Sequence, residues 1–304
     1  MKAMILAAGF GTRLRPYTHL RPKPLFPVLN KPLLLLTIAR LRQAEFSRIV
    51  VNAHHRRNQV VRALEQEQDV LVLEEETILG TGGGLRRALP HLGEKPVLVT
   101  NGDIYHNLDF RDLYRKHHAK DTDVSLVMHD YPRFNSVPVD SNNRIIGFEK
   151  GEPPNDRVRH LAFTGIHVIN PAVLSKIEPD TYSCILDCYR NLLQQGGTIN
   201  AITVSGHFWT DIGSPTEYLD LHARLLTGGL DHKPGAAKIA GPGAILLGKN
   251  TVCHPKAVIK DWACIGDNVY IDAGCRLSRV VIWDGTRVPA GTVMSDALLT
   301  PEKP

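Results

Sequence analysis

The chain has 304 residues, of which 43% are hydrophobic and 22% are charged, and its formal net charge is +5. These values are typical of a folded globular protein and exclude a disordered chain, and the length allows one large or two moderate domains. No run of 18 apolar residues occurs, so the sequence predicts no membrane-spanning helix.

The distribution of charges and cysteines bears on the ligand and on the cellular compartment. The first 43 residues contain eight lysines and arginines but no acidic residue, which favours an anionic ligand near the N-terminus. The five cysteines form no CxxC pair, so neither a structural zinc site nor a redox motif is supported. A reducing cytoplasm is the simplest compartment for such a chain.

Strands and helices alternate through the first half of the sequence. The pattern predicts strands at 4–8, 48–52, 70–73, 96–100 and 124–128, with helices at 31–44, 58–68, 81–89 and 108–116. Such alternation predicts an α/β fold with a mostly parallel sheet. Ligands of these sheets bind at the carboxyl ends of the strands, where a Gly-rich turn follows strand one and Asp103 follows strand four.

A different periodicity begins near residue 246. Apolar residues recur every six positions at Leu247, Cys253, Ile259, Ile265, Ile271 and Leu277, and after a one-residue slip at Ile282, Val288 and Met294. The preceding column (Leu246, Val252, Val258, Cys264) is also apolar. Six is not a helical period, so the sequence predicts a short parallel β-helix built of hexapeptides. We therefore predict three parts: a first domain at 1–228, a Gly/Pro-rich linker at 229–243, and the repeat at 244–304.

The most informative stretch is residues 6–34, LAAGFGTRLRPYTHLRPKPLFPVLNKPLL. Gly9 and Gly11 allow the backbone to approach a ligand, and successive N–H groups can hold phosphate oxygens. Lys23 lies between two prolines that stiffen the backbone, and Arg13 lies in the loop. Two cations positioned before the reaction are what a triphosphate substrate requires.

This segment resembles the signature of the sugar-phosphate nucleotidyltransferase (NDP-sugar pyrophosphorylase) family, GxGTRLxPxTxxxPKPLxPVxxKPLL, at every fixed position. The resemblance implies a Rossmann-like α/β nucleotidyltransferase domain followed by a C-terminal left-handed β-helix. It implies Mg²⁺-dependent transfer of a nucleotidyl group from an NTP to a sugar-1-phosphate, giving an NDP-sugar and pyrophosphate.

The resemblance also assigns roles to individual residues. Arg13 and Lys23 match the catalytic cations at the phosphates, and Asp103 and Asp211 match the two carboxylates that hold Mg²⁺. Lys150 matches the lysine that binds the sugar's phosphate, and Glu149 the residue that binds a sugar hydroxyl. The other members of the sugar site are Gly147, Thr164 and Gly165. Nucleotide binding is assigned to Leu6, Ala8, Gly9, Gly11, Thr12, Glu75, Gly80, Thr81 and Gly82.

The base-binding loop, LGTGGG at 79–84, follows three glutamates. A carboxylate such as Glu75 can accept two hydrogen bonds from guanine, whereas uracil offers one donor, which favours GTP. The loop is similar to that of mannose- and heptose-1-phosphate guanylyltransferases, and also to that of N-acetylmuramate-1-phosphate uridylyltransferases. The sequence does not identify the sugar.

Three alternatives stay open at this point. The chain could be a uridylyltransferase of the same family, a non-catalytic regulatory subunit that binds an NDP-sugar, or a bifunctional enzyme with acyltransferase activity on the β-helix. The intact set of charged residues weighs against the second, and the short repeat with His254 as its only histidine weighs against the third. The favoured role of the repeat is homo-oligomerisation, and no nucleic-acid or membrane partner is expected.

Overall fold

The computed structural model describes residues 1–148, 157–229, 239–240 and 244–301. Two compact units are present. Unit 1 consists of Met1–Phe10 and Thr37–Trp209, and unit 2 consists of Gly11–Leu36 and Thr210–Pro304. The segment that carries the signature cations therefore belongs to the same unit as the C-terminal repeat.

The strands, in chain order, are β1 (Lys2–Leu6), β2 (Pro27–Val28), β3 (Lys31–Pro32), β4 (Arg48–Ala53), β5 (Val70–Glu74), β6 (Val97–Asn101), β7 (Ile104–His106), β8 (Val124–His129), β9 (Val137–Val139), β10 (Arg159–Ile169), β11 (Ile199–Thr203), β12 (Trp209–Asp211), β13 (Ile239–Ala240), β14 (Ala244–Leu247), β15 (Val252–Cys253), β16 (Val258–Ile265), β17 (Tyr270–Ile271), β18 (Arg276–Ile282), β19 (Arg287–Val288) and β20 (Val293–Leu299).

The α-helices are α1 (Leu33–Gln43), α2 (Arg57–Leu64), α3 (Gly80–Leu92), α4 (Phe110–His118), α5 (Pro171–Leu174), α6 (Ile185–Gln194) and α7 (Pro215–Leu226). Short 3-10 helices lie at Thr12–Leu14, Tyr17–His19 and Lys23–Leu25. The nine elements predicted in the first half are all present with bounds that differ by one to four residues.

The core of unit 1 is a sheet with strand order β11-β8-β10-β6-β1-β4-β5, to which β9 adds by pairing with β10. Neighbours are parallel except at β10, which runs antiparallel to β6, β8 and β9. The central strand β1 is buried on both faces, with Ala3, Met4 and Ile5 fully inaccessible, as expected for a parallel strand covered by helices. This confirms the predicted Rossmann-like α/β core.

Unit 2 contains stacked parallel coils. Ile245 pairs with Ala263, Ala263 with Val280 and Val280 with Ala297, so successive coils are offset by eighteen and then seventeen residues. Eighteen residues are three hexapeptides, as a β-helix requires. The offset changes by one residue because the register between β16 and β18 shifts between Lys260 and Ala263. This shift explains the slip in the six-residue period of the sequence.

The hexapeptide column is buried where coils lie on both sides of it. Ile265, Ile271, Leu277, Ile282 and Val288 are at most 2% exposed, whereas Leu247 and Met294 at the ends of the stack are 44% and 45% exposed. The preceding column is not uniformly buried. Leu246 and Cys264 are 7% and 1% exposed, but Val252 and Val258 are 53% and 43% exposed.

Candidate active site

The carboxyl end of β1 carries the first of the candidate residues of unit 1. Leu6 ends the strand, Ala8 is buried and Gly9 is exposed, with open space on the side where a Cβ would lie. The Ala7 N–H donates to Asn52 Oδ1 over 2.9 Å. The backbone of this turn is therefore held from the neighbouring strand β4.

Asp103 lies at the corresponding end of β6. The N–H of Gly102 donates to Leu6 O over 2.8 Å, which holds the Gly102-Asp103 turn against the end of β1. Asp103 is half-buried. Asp109 caps α4 by accepting from the N–H groups of Arg111 and Asp112, whereas Asn107 Oδ1 accepts from the Phe208 N–H.

Glu75, assigned to the nucleotide base, has a different set of contacts in the structure. Its side chain is fully buried. Oε1 accepts from Asn52 Nδ2 over 2.7 Å, and Oε2 accepts from the Leu79 N–H over 3.2 Å. The carboxylate thus anchors the start of the base loop from inside the protein.

The glycines of the base loop are required by close packing. A Cβ on Gly82 would lie 2.8 Å from Ser183 Oγ, one on Gly83 would lie 2.4 Å from Thr181 O, and one on Gly84 would lie 2.7 Å from Asn52 Nδ2. A side chain at any of these three glycines would collide with the segment before α6 or with Asn52.

The start of α3 is held by the chain that precedes α6. The Gly82 N–H donates to Ser183 O over 2.8 Å, and Thr81 Oγ1 accepts from the Ile185 N–H over 3.0 Å. Gly80 has a positive φ of 72° and completes the turn into the helix. The direct contact of Gly80, Thr81 and Gly82 with a nucleotide stays a prediction.

Thr164 and Gly165 lie at an irregularity in β10, where the register with β8 shifts between Phe163 and His167. Thr164 is inaccessible, and its hydroxyl donates to Val127 O over 2.8 Å. Gly165 has a φ of 79°, and a Cβ there would lie 2.6 Å from Asn101 Nδ2 at the end of β6. Glycine therefore permits the close approach of β10 to the strand that precedes Asp103.

An aromatic and histidine cluster lies beside Thr164. Trp209 Nε1 donates to Thr164 O over 2.9 Å, and the ring nitrogens His129 Nδ1 and His207 Nε2 are 3.1 Å apart. The His129 and His207 rings stack at 5.2 Å. Burial, followed by the proximity of His207, lowers the pKa of His129 to about 4, so the ring is neutral at pH 7.

Unit 2 carries the glycine turn and Arg13. Gly11 has a φ of 62°, and a Cβ there would lie 2.8 Å from Thr18 Cγ2, so the turn requires glycine. Thr12 and Arg13 are exposed. The guanidinium of Arg13, whose side chain is 63% exposed, lies 3.3 Å from Asp211 Oδ2, whose side chain is 18% exposed. The structure thus brings together a predicted catalytic cation and a predicted metal ligand.

Lys23 is only 5% exposed, which is unusual for a lysine and excludes a role as a solvated surface charge. Its surroundings are held by the aromatic residues that follow it. The Phe26 ring packs edge-on against two other rings. Its centroid lies 4.9 Å from that of Trp283, which directly follows β18, and 5.7 Å from that of Tyr218 in α7. Trp283 Nε1 donates to the Tyr218 hydroxyl over 3.2 Å, and this hydroxyl donates to Pro27 O.

Further hydrogen bonds fix the same loop to α7 and to the coils. His222 Nε2 accepts from the Leu29 N–H over 3.3 Å, which leaves Nδ1 to donate to Tyr218 O over 2.9 Å. Asn30 Nδ2 donates to Ile265 O over 2.7 Å. The coil column of Leu246 and Cys264 is buried on this side, and Cys264 Sγ contacts Asn30 Oδ1 at 3.1 Å.

Of the predicted sugar-site residues, Gly147 is half-buried and has only Pro138 Cγ, at 3.9 Å, near its open side. Glu149 and Lys150 lie outside the described residues. Sequence reasoning missed Asn52, Tyr218, His222 and Trp283, because their partners are distant in sequence. A buried asparagine in an otherwise apolar strand was the one available signal for Asn52.

No helix of the described residues is long and apolar enough to cross a membrane. Within the same ranges, no three or more His, Cys, Asp or Glu side chains converge as a ready-made metal cage.

Comparisons with known proteins agree with this architecture. Over 98% of this chain and 86% of the relative, the sequence is 30% identical to mannose-1-phosphate guanylyltransferase 1 of Arabidopsis thaliana. It is also 30% identical to the mannose-1-phosphate guanylyltransferase of Mycobacterium tuberculosis, over 96% of this chain and 82% of that one. The solved structure of HddC from Yersinia pseudotuberculosis complexed with GMP-PN covers 73% of this chain and 98% of its own, with a TM-score of 0.61 and 22% identity, and so shares the fold. Residues 2–228 match the family described as nucleotidyl transferase, and the chain therefore belongs to that family.

Proposed function

We propose that this protein is a mannose-1-phosphate guanylyltransferase, which transfers the guanylyl group of GTP to mannose-1-phosphate and releases pyrophosphate. The observation that carries the proposal is the 30% identity to mannose-1-phosphate guanylyltransferases over at least 96% of this chain. The burial of Lys23 and the pairing of Arg13 with Asp211 are consistent with it, because a reaction between anions needs cations that are held in place beforehand.

The reaction is a single displacement. A phosphate oxygen of the sugar-1-phosphate attacks the α-phosphorus of GTP, the bond from the α-phosphorus to the bridging β-oxygen breaks, and pyrophosphate leaves with the electron pair. Such chemistry depends on positioning and charge stabilisation. Lys23 and Arg13 are the side chains proposed to stabilise negative charge on the phosphates, and Lys150 the one that orients the attacking phosphate.

Asp103 and Asp211 are the proposed holders of Mg²⁺. Carboxylate oxygens are the ligands that Mg²⁺ prefers, and one or two suffice where phosphates and water supply the rest. When bound, the ion would neutralise charge on the triphosphate. Arg13 is mostly exposed, so its ion pair with Asp211 is worth at most about 1 kcal/mol and is readily exchanged for a phosphate.

The first test is pyrophosphate release with Mg²⁺ over a grid of five NTPs and several sugar-1-phosphates, including those of mannose, heptose and N-acetylmuramate. We expect turnover with GTP and mannose-1-phosphate. A preference for UTP would show that the protein is a uridylyltransferase instead. Binding of an NDP-sugar by calorimetry, with no turnover, would support a regulatory subunit.

The second test removes single charges. Lys23→Ala and Asp103→Asn should each lower turnover at least about 100-fold, since each removes a group that stabilises the phosphates in the transition state. Lys249→Ala and Asp121→Asn are matched controls at exposed positions and should leave turnover unchanged. Near-normal activity of Lys23→Ala or Asp103→Asn would remove that residue from the mechanism.

The remaining predictions concern the wider protein. We propose a cytoplasmic location and homo-oligomerisation through the β-helix, supported by cysteines that are all free in the described residues and by the open ends of the coil stack. Size-exclusion chromatography with light scattering of the full chain would show the oligomeric state.

A further inference from the structure

Asn52 and Glu75 form a buried bridge between two loops of unit 1. One loop is the turn after β1, which contains Ala7, and the other is the base loop, which begins at Leu79. Asn52 is 2% exposed and Glu75 is fully buried. The bridge runs from the Ala7 N–H to Asn52 Oδ1 (2.9 Å), from Asn52 Nδ2 to Glu75 Oε1 (2.7 Å) and from the Leu79 N–H to Glu75 Oε2 (3.2 Å).

The backbone of Glu75 is fixed as well. Its N–H donates to Ala53 O over 2.8 Å, and its carbonyl oxygen accepts from Arg57 Nη1 over 3.3 Å and lies 3.0 Å from His54 Nδ1. The helix that follows the base loop makes room for the bridge, because a Cβ on Gly84 would lie 2.7 Å from Asn52 Nδ2 and 3.0 Å from Glu75 Oε1. If either side chain left this position, a buried polar group would lose its hydrogen bond, which costs free energy.

The direction of each hydrogen bond is determined by its ends. Backbone N–H groups only donate, so Ala7 requires an acceptor on residue 52 and Leu79 requires an acceptor on residue 75. The central bond must then run between one donor and one acceptor. Asparagine at 52 with glutamate at 75 satisfies all three bonds, and so does aspartate at 52 with glutamine at 75.

We propose that Asn52 and Glu75 are positioning residues for the nucleotide, which set the turn after β1 and the base loop at the spacing that the nucleotide needs. The inference rests on the proposed function, since it takes both loops as nucleotide-binding. It gives Glu75 a role different from direct reading of the base. Loss of the bridge should affect binding of the NTP, because neither loop is assigned to the sugar-1-phosphate.

The test is a donor–acceptor exchange in the full-length protein. Asn52→Asp places two carboxyl groups face to face, so the central bond forms only at the cost of proton uptake by one of them. Glu75→Gln leaves a donor opposite a donor whichever way the Asn52 amide is turned. Each single variant should raise the KM for the NTP and its calorimetric Kd at least about tenfold, the effect of one lost buried hydrogen bond. The double variant restores all three bonds and should return to within about threefold of the wild type.

Matched controls make the same chemical changes at exposed positions, as Asn58→Asp and Glu76→Gln, and should bind the NTP as the wild type does. The KM for the sugar-1-phosphate should change less than threefold in the two single variants, a specificity that general loss of structure would not produce.

The proposal is overturned if the double variant binds the NTP no better than the single variants while all four proteins are folded by circular dichroism. It is also overturned if both KM values rise together. Failure of the proposed function is seen separately, since it appears in the wild type as absence of turnover across the substrate grid before any variant is made.

Discussion

The two units hold their candidate residues by different means. In unit 1, Leu6 ends β1, and Asp103 and Glu75 follow β6 and β5 of the same mostly parallel sheet. Hydrogen bonds between neighbouring strand ends position these residues. In unit 2, Arg13 and Lys23 lie on a segment of 3-10 turns that has little secondary structure of its own. That segment is held by residues about 190 to 260 positions later in the chain, in α7 and the coils. The comparison indicates that the β-helix supports the signature loop in addition to any part in assembly.

Two buried histidines, one in each unit, differ in their hydrogen-bond partners. Both ring nitrogens of His167 in unit 1 are inaccessible and make no hydrogen bond within the described residues. Both ring nitrogens of His222 in unit 2 are bonded, to the Leu29 N–H and to Tyr218 O. A histidine with both nitrogens bonded stabilises the segments that it joins. Burial of a histidine without hydrogen-bond partners lowers the stability of the fold, because its polar nitrogens lose water and gain no partner.

The largest expected effect of this difference is acid sensitivity. Burial lowers the pKa of His222 and of His129 to about 4 and that of His167 to about 3. The unfolded chain takes up these protons near pH 6.5, so it binds more protons than the folded chain below that value, and stability falls as the pH falls from 6.5 toward 4. Among the described residues, a lowered pKa is found for five histidines of unit 1 (His106, His117, His129, His167, His207) but for His222 alone in unit 2.

Urea unfolding at pH 7 and pH 5 measures this effect. His129, His167 and His222 should each cost about 2 kcal/mol at pH 5 relative to pH 7. His167→Leu should remove its share of the acid loss and also raise stability at pH 7. His222→Leu should remove a similar share of acid loss but lower stability at pH 7, because the Leu29 N–H loses its acceptor. Equal behaviour of the two variants at pH 7 would contradict the distinction drawn between His167 and His222.

The second prediction concerns support of the signature loop. Trp283 in unit 2 and Tyr189 in unit 1 are both fully buried aromatic residues. Trp283→Ala and Tyr189→Ala should each lower the free energy of unfolding by about 3–5 kcal/mol. The Trp283 ring contacts Phe26 and lies under the Arg21 guanidinium at 4.9 Å, so its loss also frees the segment that carries Lys23.

Activity at a temperature where both variants are folded separates the two cases. Trp283→Ala should lose more of kcat/KM than Tyr189→Ala, and Trp283→Phe, which keeps a ring against Phe26, should recover most of it. If Tyr189→Ala loses as much activity as Trp283→Ala, the contact of Trp283 with the signature loop has no specific effect on catalysis.

The sequence predicted the fold better than it predicted what holds the site. The apolar run RIVVN located β4, and the six-residue period located the hexapeptide column, since both depend on local patterns of burial. The sequence did not show that β10 is an eleven-residue antiparallel strand, because RHLAFTGIHVI breaks its own alternation at the Thr164-Gly165 irregularity. The family resemblance assigned roles to Arg13 and Asp211, and the structure pairs them. The partners Asn52 and Trp283 depend on tertiary contacts, which no local pattern encodes.

The smallest expected effect concerns helix caps, which the two units again use differently. Asp109 caps α4 in unit 1 from an exposed position. Ser214 caps α7 in unit 2, where its hydroxyl oxygen accepts from the Glu217 N–H over 3.2 Å and the hydroxyl donates to Glu217 Oε2 over 3.0 Å. Asp109→Ala and Ser214→Ala should each cost about 1 kcal/mol of stability, seen as a lower Tm.

The two cap variants should diverge in catalysis. Ser214 follows Asp211 by three residues, and the Gly213 N–H donates to Asp211 O over 2.6 Å, so loosening the start of α7 loosens the carboxylate proposed to hold Mg²⁺. Ser214→Ala should therefore raise the Mg²⁺ concentration needed for half-maximal turnover, whereas Asp109→Ala should leave it unchanged. Ser214→Thr keeps a capping hydroxyl and should restore the requirement of the wild type. If the Mg²⁺ requirement stays the same in Ser214→Ala while its Tm falls, the cap serves the helix alone and Asp211 is held in place by Arg13 and its strand.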